Sequence, residues 1–243
     1  MKRENIGYLL LVVIAVLVIS RIVMIGPIEQ NPTYHNFSDT LKLFGVPNFW
    51  NVISNLPFML VGILGLYKLR SGDIVKSQFI IFFIGIALVA VGSAYYHWNP
   101  NNETLVWDRL PMTIGFMALF SALISEFINH KLGKLILVPA LIIGFMSVMY
   151  WVIMKDLSFY LVVQFFPMLS IPVILIFFRS KDNLTAGYWL LLLAYVVAKV
   201  FEKYDHETHD FFGFVSGHSL KHIFAALGIY MLILKRIDRE VFS

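Results

Sequence analysis

The fold of this chain is decided by residues 78–98, which read QFIIFFIGIALVAVGSAYYHW. The segment contains no Asp, Glu, Lys or Arg, and about 20 helical residues are enough to cross the roughly 30 Å hydrocarbon core of a bilayer. It therefore predicts a membrane-spanning helix with a histidine, His97, as its second-last residue. Seven further apolar stretches approach the same length and predict further spans: about 6–26, 49–67, 109–128, 134–153, 158–178, 184–203 and 216–235.

The composition supports this interpretation for the whole chain of 243 residues. Hydrophobic residues make up 59%, charged residues 14%, and the mean hydropathy is +0.77. An ordinary soluble domain is roughly 45–50% apolar and about 25% charged, so most of this surface must face lipid. Disorder, nucleic-acid binding and a secreted disulfide scaffold are excluded. Short alternating segments typical of barrel strands are missing, so we predict an all-α integral membrane protein of eight spans.

The first apolar stretch begins with a basic pair, as a signal peptide does. It has no convincing small-residue cleavage site and continues through Arg21 to Gly26, so we interpret it as a retained anchor helix.

The distribution of Lys and Arg predicts the orientation, because these residues concentrate on the cytoplasmic side. With eight spans, twelve fall on the side of both termini and six on the opposite side, so both termini are predicted to be cytoplasmic. The twelve are Lys2, Arg3, Lys68, Arg70, Lys76, Lys131, Lys134, Arg179, Lys181, Lys235, Arg236 and Arg239, and the six are Arg21, Lys42, Arg109, Lys155, Lys199 and Lys203.

Polar residues cluster at three span ends that this topology places together at the outer side of the membrane. His218 and His222 are four residues apart and share one helical face, and His97 ends another span. Three imidazoles plus water is the ligand arrangement of a catalytic zinc site, and the chain has no cysteine to offer instead. Asp108 could hold and deprotonate that water as general base, and Ser93, one turn before His97, could stabilise the oxyanion.

Each of these residues also has a plainer structural explanation. His97 lies among aromatic residues typical of a membrane-interface belt, Asp108 could cap a helix that starts near 109, and Ser93 could be a small residue at a helix contact. The two spaced histidines alone are weak grounds for a metal. A haem is disfavoured, because an i,i+4 pair on one helix cannot bind its two opposite faces.

The pattern Ser93-x-x-x-His97, Asp108, His218-x-x-x-His222 resembles the alkaline ceramidase branch of the seven-helix membrane hydrolases called CREST, relatives of adiponectin receptors and haemolysin III. The resemblance covers about residues 34–236 and includes the run NFWNVISNL at 48–56. It implies that the three histidines bind one zinc ion, that Asp108 contacts the zinc-bound water and that Ser93 assists at the oxyanion. The family core has seven helices, so the first span is an addition to it: we predict an anchor helix over 1–30, followed by a seven-helix ceramidase-like domain over 31–243.

The chain departs from the animal members of this family just before the core. Their acidic calcium site ends in a glutamate where this chain has Asn48, and the segment 34–39 holds one carboxylate, Asp39, so we do not expect calcium. The resemblance therefore implies a hydrolase that cleaves the amide bond of ceramide-like or other N-acyl lipids, a class wider than ceramide itself. The rival interpretation is a non-enzymatic zinc-binding receptor or transporter of the adiponectin-receptor type.

One polar stretch near the predicted site has no assigned role. Residues 202–210 read EKYDHETHD and could gate the site, bind a second ion or simply be a solvated loop. Lys199 and Glu202 are spaced to form an i,i+3 ion pair, for which a structural role is the default. Protein partners and the oligomeric state are not indicated by the sequence.

Overall fold

The computed structural model describes residues 2–69, 75–180 and 185–238. Within these ranges every regular element is a helix, apart from one isolated β-bridge between Leu43 and Val46. The helices are α1 (Arg3–Ile25), a 3₁₀ turn (Pro32–His35), α2 (Phe49–Ile53), α3 (Leu56–Lys68), α4 (Lys76–Trp98), α5 (Asn102–Phe127), α6 (His130–Met154), α7 (Ser158–Phe177), α8 (Thr185–Lys203), α9 (Asp205–Phe212) and α10 (Gly217–Asp238).

The prediction of an all-α membrane protein is confirmed. Seven helical segments in the described ranges are long and apolar enough to cross a bilayer: α1, α2 together with α3, and α4 to α8. The eighth predicted span is α10, which is 22 residues long and is not among these seven. Its passage through the membrane, and with it the orientation, stays a prediction. Of the residues used for orientation, Arg70, Lys181 and Arg239 lie outside the described residues.

Two local expectations are wrong. The helix expected to start near 109 begins at Asn102, so Asp108 lies inside α5 and is not its cap. The cap is built further back, where the Asn101 side chain accepts hydrogen bonds from the backbone N–H groups of Glu103 and Thr104. The polar stretch at 202–210 is not a loop: α8 continues to Lys203 and α9 begins at Asp205.

The described residues divide into two compact units. The first comprises Met1–Gln30, Leu69–Phe82 and Thr113–Thr185, in which α1 packs against α7 and α6 also packs against α7. A small core of Met117, Ala140 and Val163 lies inside it. The predicted boundary between the anchor helix and the domain over 31–243 stays a prediction.

A buried carboxylate, Asp156, lies in the link between α6 and α7 and binds the backbone of the segment that follows α1. Asp156 accepts hydrogen bonds from the backbone N–H of Ile28 and of Ser158, both at 2.9 Å, and from the Ser158 hydroxyl at 2.8 Å. Burial raises the pKa of Asp156, but these hydrogen bonds to its charged form outweigh burial and hold the pKa below the ordinary value. Ionised Asp156 therefore stabilises this junction.

The second unit comprises Asn31–Lys68, Phe83–Met112 and Ala186–Ser243, and it contains every predicted site residue. Its helices approach closely at glycines. A Cβ on Gly92 of α4 would lie 2.0 Å from the carbonyl oxygen of Trp107 in α5, so only glycine permits this contact. The contact joins the two helices beside Ser93 and Asp108, and α10 packs on α3 in the same unit.

Candidate metal centre

The structure brings together the three histidines that the sequence predicts as ligands. His97 is in the last turn of α4, and His218 and His222 are one turn apart at the start of α10. One ring nitrogen from each lies within 4.8 Å of the others. All three side chains are buried, with exposures of 1%, 3% and 3%. Residues separated by more than 120 positions thus converge on one point.

The donor atoms of this cluster fit a metal ion. Nε2 of His97 and Nε2 of His218 face each other at 3.2 Å, an arrangement that a shared cation stabilises. Nδ1 of His222 hydrogen-bonds with the Ser54 hydroxyl at 2.8 Å, which leaves its Nε2 available to the cluster. Nδ1 of His97 is buried and finds no hydrogen-bond partner among the described residues. Three imidazole nitrogens are a ligand set that suits zinc.

Ser93 and Asp108 form a hydrogen-bonded pair in the same unit. Ser93 lies one turn before His97 on α4, Asp108 lies on α5, and their side chains hydrogen-bond with each other. Both side chains are buried, with exposures of 2% and 8%. The contact gives Ser93 a partner that the sequence did not indicate.

Residues of the run at 48–56 hold the histidines in place. Asn48 donates a hydrogen bond from Nδ2 to the backbone carbonyl of His97, at 2.8 Å. Oδ1 of Asn51 accepts hydrogen bonds from the hydroxyls of Ser216 and Ser219, at 3.0 and 2.8 Å, where α10 begins. The run therefore connects the end of α4 with the start of α10, which explains why it accompanies the histidine pattern.

The side chains of Asp205 and Phe37 also shape the centre, and neither was predicted to do so. Asp205 accepts hydrogen bonds from the backbone N–H of His218 at 2.7 Å and of Ser38 at 2.8 Å, which fixes the start of α10. The Phe37 ring packs edge-on against His97 and His218, with centroids 4.7 and 4.4 Å apart. Asp39 accepts backbone hydrogen bonds from Leu41 and Asn51. Asp205 and Asp39 thus have structural partners.

An ion cluster adjoins the histidines. The expected ion pair of Lys199 with Glu202 is present, and Glu202 also accepts a hydrogen bond from Nζ of Lys221, at 2.8 Å. Nζ of Lys221 is 3.3 Å from Nε2 of His218. Sequence reasoning noted the first pair but missed Lys221, although its position between the two α10 histidines was visible. We call these three residues the Lys199–Glu202–Lys221 cluster.

A comparison with protein families identifies the family to which this chain belongs. The family model described as Ceramidase matches residues 44–238, which include the three histidines, Ser93 and Asp108. The chain belongs to the ceramidase family. Membership in the ceramidase family implies a membrane hydrolase that acts on ceramide-type lipid amides, as the resemblance in the sequence implied. A comparison with curated proteins gives no match.

Proposed function

We propose that this protein is a zinc-dependent hydrolase of the membrane that cleaves the amide bond of ceramide-like or other N-acyl lipids and releases a fatty acid. The observation that carries the proposal is the convergence of three buried histidine nitrogens in a member of the ceramidase family. Cleavage of an amide in an apolar setting needs a Lewis acid to polarise the carbonyl and a group that carries a proton. The three histidines are suited to hold a metal ion for the first task, and the Asp108 carboxylate is suited to the second.

His97, His218 and His222 would hold one zinc ion per chain. When bound, zinc supplies Lewis acidity that polarises a carbonyl and lowers the pKa of a water molecule to about 7. Ser54 supports this role by fixing the ring of His222 through Nδ1, and Asn48 supports it by holding the backbone of His97. Such outer contacts orient ligands and keep their lone pairs directed at one point.

Asp108 and Ser93 would handle the proton. Asp108 takes a proton from the attacking water as general base and later gives it to the leaving amine. While Asp108 is ionised, the Ser93 hydroxyl donates its hydrogen bond to the carboxylate. Once Asp108 is protonated, its O–H can donate to Ser93 Oγ, so the hydroxyl hydrogen of Ser93 turns towards the oxyanion of the substrate. The pair thus couples proton uptake to oxyanion stabilisation.

The lipid would reach the site from the outer side of the membrane. The excess of Lys and Arg on the side of both termini favours cytoplasmic termini, and the histidines then lie near the outer ends of their spans. The proposal assigns eight spans, with an anchor helix over 1–30 ahead of the seven-helix domain over 31–243.

The test is a panel of N-acyl lipids and matched esters incubated with purified, zinc-loaded protein, with released fatty acid as the readout. We expect release from at least one amide, and its loss in His218→Ala. His206→Ala is the matched control, because His206 is an exposed histidine on α9 outside the cluster. Absence of release from every lipid would contradict the hydrolase and leave a zinc-binding receptor or transporter.

A further inference from the structure

The segment that precedes α2 is fastened at the edge of the candidate metal centre. The two ring nitrogens of His35 hydrogen-bond with the Tyr96 hydroxyl at 2.8 Å and with Oδ1 of Asn102 at 2.9 Å. Two residues further on, the Phe37 ring packs against two of the three metal-site histidines. Tyr34 lies next to His35 in the 3₁₀ turn, so its place beside the centre is fixed by these contacts.

Tyr34 extends among the charged groups that surround the site. Its ring lies against the guanidinium of Arg109, with Cζ 5.8 Å from the ring centroid. Its hydroxyl interacts electrostatically with Lys221 and Glu202 on one side and with Asp108 on another. The residue is 36% exposed, so a ligand can approach it from outside the protein.

The charges that act on this hydroxyl have both signs. Lys221 and Arg109 are positive, Glu202 and Asp108 are negative, and Asp108 acts on Lys221 as well. Nζ of Lys221 and Oε1 of Glu202 are 2.8 Å apart, so a donor and an acceptor lie side by side. A hydroxyl both donates and accepts a hydrogen bond. The surroundings of Tyr34 therefore suit a neutral hydroxyl group better than an ion.

This polar region adjoins the point at which an amide would react. Nζ of Lys221 is 3.3 Å from Nε2 of His218, one of the three metal-site nitrogens. The group attached to the amide nitrogen of an N-acyl lipid lies within a few bonds of the reacting carbonyl. A ceramide carries hydroxyl groups on the second carbon from that nitrogen. Such a hydroxyl would meet Tyr34 and the neighbouring ion pair.

We propose that Tyr34 determines headgroup specificity by binding a headgroup hydroxyl of the N-acyl lipid together with the Glu202–Lys221 pair. The inference rests on the proposed function and narrows its substrate class to lipids with a neutral, hydroxylated headgroup. The Tyr34 hydroxyl donates to the substrate hydroxyl, which donates to Glu202, and Lys221 holds Glu202 in place. Tyr34 lies ahead of residues 44–238, so a segment outside the family match supplies this contact.

The test uses two probes that share one acyl chain and differ in one group. N-palmitoylethanolamine ends in a hydroxyl, and N-propylpalmitamide has a methyl group in its place. A site built to hydrogen-bond a hydroxyl rejects an analogue that lacks it, because the polar groups of the site are left unpaired. We expect wild-type kcat/KM to favour N-palmitoylethanolamine by about tenfold or more, which corresponds to about 1.4 kcal/mol. Equal kcat/KM for the two probes would overturn the proposal.

Tyr34→Phe removes the hydroxyl and keeps the ring that lies against Arg109. We expect the preference for N-palmitoylethanolamine to fall to about threefold or less, while zinc content measured by elemental analysis stays at the wild-type level. If Tyr34→Phe lowered kcat/KM for both probes by the same factor, Tyr34 would have only a structural role and the proposal would be wrong. Tyr67→Phe is the matched control, because Tyr67 is 80% exposed near the end of α3, and it should retain the preference.

Binding of the same two probes keeps this inference separate from the hydrolase proposal. If no lipid is hydrolysed, the Kd of each probe is measured from the change in intrinsic tryptophan fluorescence of the same protein. Tighter binding of N-palmitoylethanolamine that Tyr34→Phe removes would support the hydroxyl site although the hydrolase had failed. Equal binding of the two probes, or none, would overturn it. Hydrolysis of both probes at equal kcat/KM would overturn the hydroxyl site and leave the hydrolase intact.

Discussion

Replacement of Ser54 by alanine should weaken zinc binding without touching a ligand. The Ser54 hydroxyl makes a 2.8 Å hydrogen bond to Nδ1 of His222, and its side chain is only 8% exposed, so water cannot easily replace it. The variant frees the His222 ring to rotate and leaves Nδ1 without this partner. Loss of such an outer contact typically reduces metal affinity about 10–100-fold, which corresponds to about 1.4–2.7 kcal/mol.

The assay is competition for zinc between purified protein and a chelator of known affinity. Ser121→Ala is the matched control: it also removes a buried hydroxyl, one that donates to the Gly133 carbonyl at 2.8 Å in the other compact unit. Both variants should unfold at somewhat lower temperature, but only Ser54→Ala should lose zinc affinity. Equal zinc affinity in Ser54→Ala and wild type would contradict the claim that Ser54 orients the His222 ring for metal binding.

Three further changes test the proton carrier, the helix contact and the buried carboxylate. Asp108→Asn should lower kcat by roughly 10²–10⁴-fold with zinc retained, measured as fatty acid release and metal content; undiminished turnover would exclude Asp108 as the base. Gly92→Ala forces its Cβ against the Trp107 carbonyl, so the Tm in detergent should fall by roughly 5 °C and activity with it; an unchanged Tm would contradict the close contact. Asp156→Ala should lower the Tm at pH 7 by roughly 4–8 °C, because two backbone N–H groups lose their acceptor. Folding lowers the pKa of Asp156, so its stabilising effect is complete above the unfolded pKa of 3.8 and is lost as the pH falls through the folded pKa. The difference in Tm between wild type and Asp156→Ala should therefore shrink below about pH 4. A difference in Tm that grows in acid would show that folding raises this pKa instead.

Much of the fold follows from hydropathy alone. A run such as 78–98 can satisfy its backbone only as a helix in lipid, so the positions of the long helices were predictable to within a few residues for most spans. The start of α5 was missed because its first turn, residues 102–104, is polar and Asp108 interrupts the apolar residues that follow, and hydropathy indicates the lipid-facing part of a helix rather than its end. There the Asn101 cap was the relevant signal.

The candidate metal centre was predictable as a set of residue types and only partly as an arrangement. Four-residue spacing places His218 and His222 on one face, but the partnership with His97 depended on topology and on resemblance. The supporting contacts were not predictable, because Ser54 and Asp205 reach the site through tertiary packing. For Lys221 the sequence predicted only a position within a span. Its contact with Glu202 could not be predicted, because the two residues are 19 positions apart and lie on different helices.

The central claim is that His97, His218 and His222 hold one zinc ion on which lipid amide hydrolysis depends. The most direct measurement is fatty acid release by a single preparation as purified, after chelation and after zinc is restored, with metal counted by elemental analysis at each step. We expect one zinc per chain, loss of release with loss of zinc, and recovery when zinc returns. Full release of fatty acid by protein stripped of metal would contradict zinc-dependent hydrolysis.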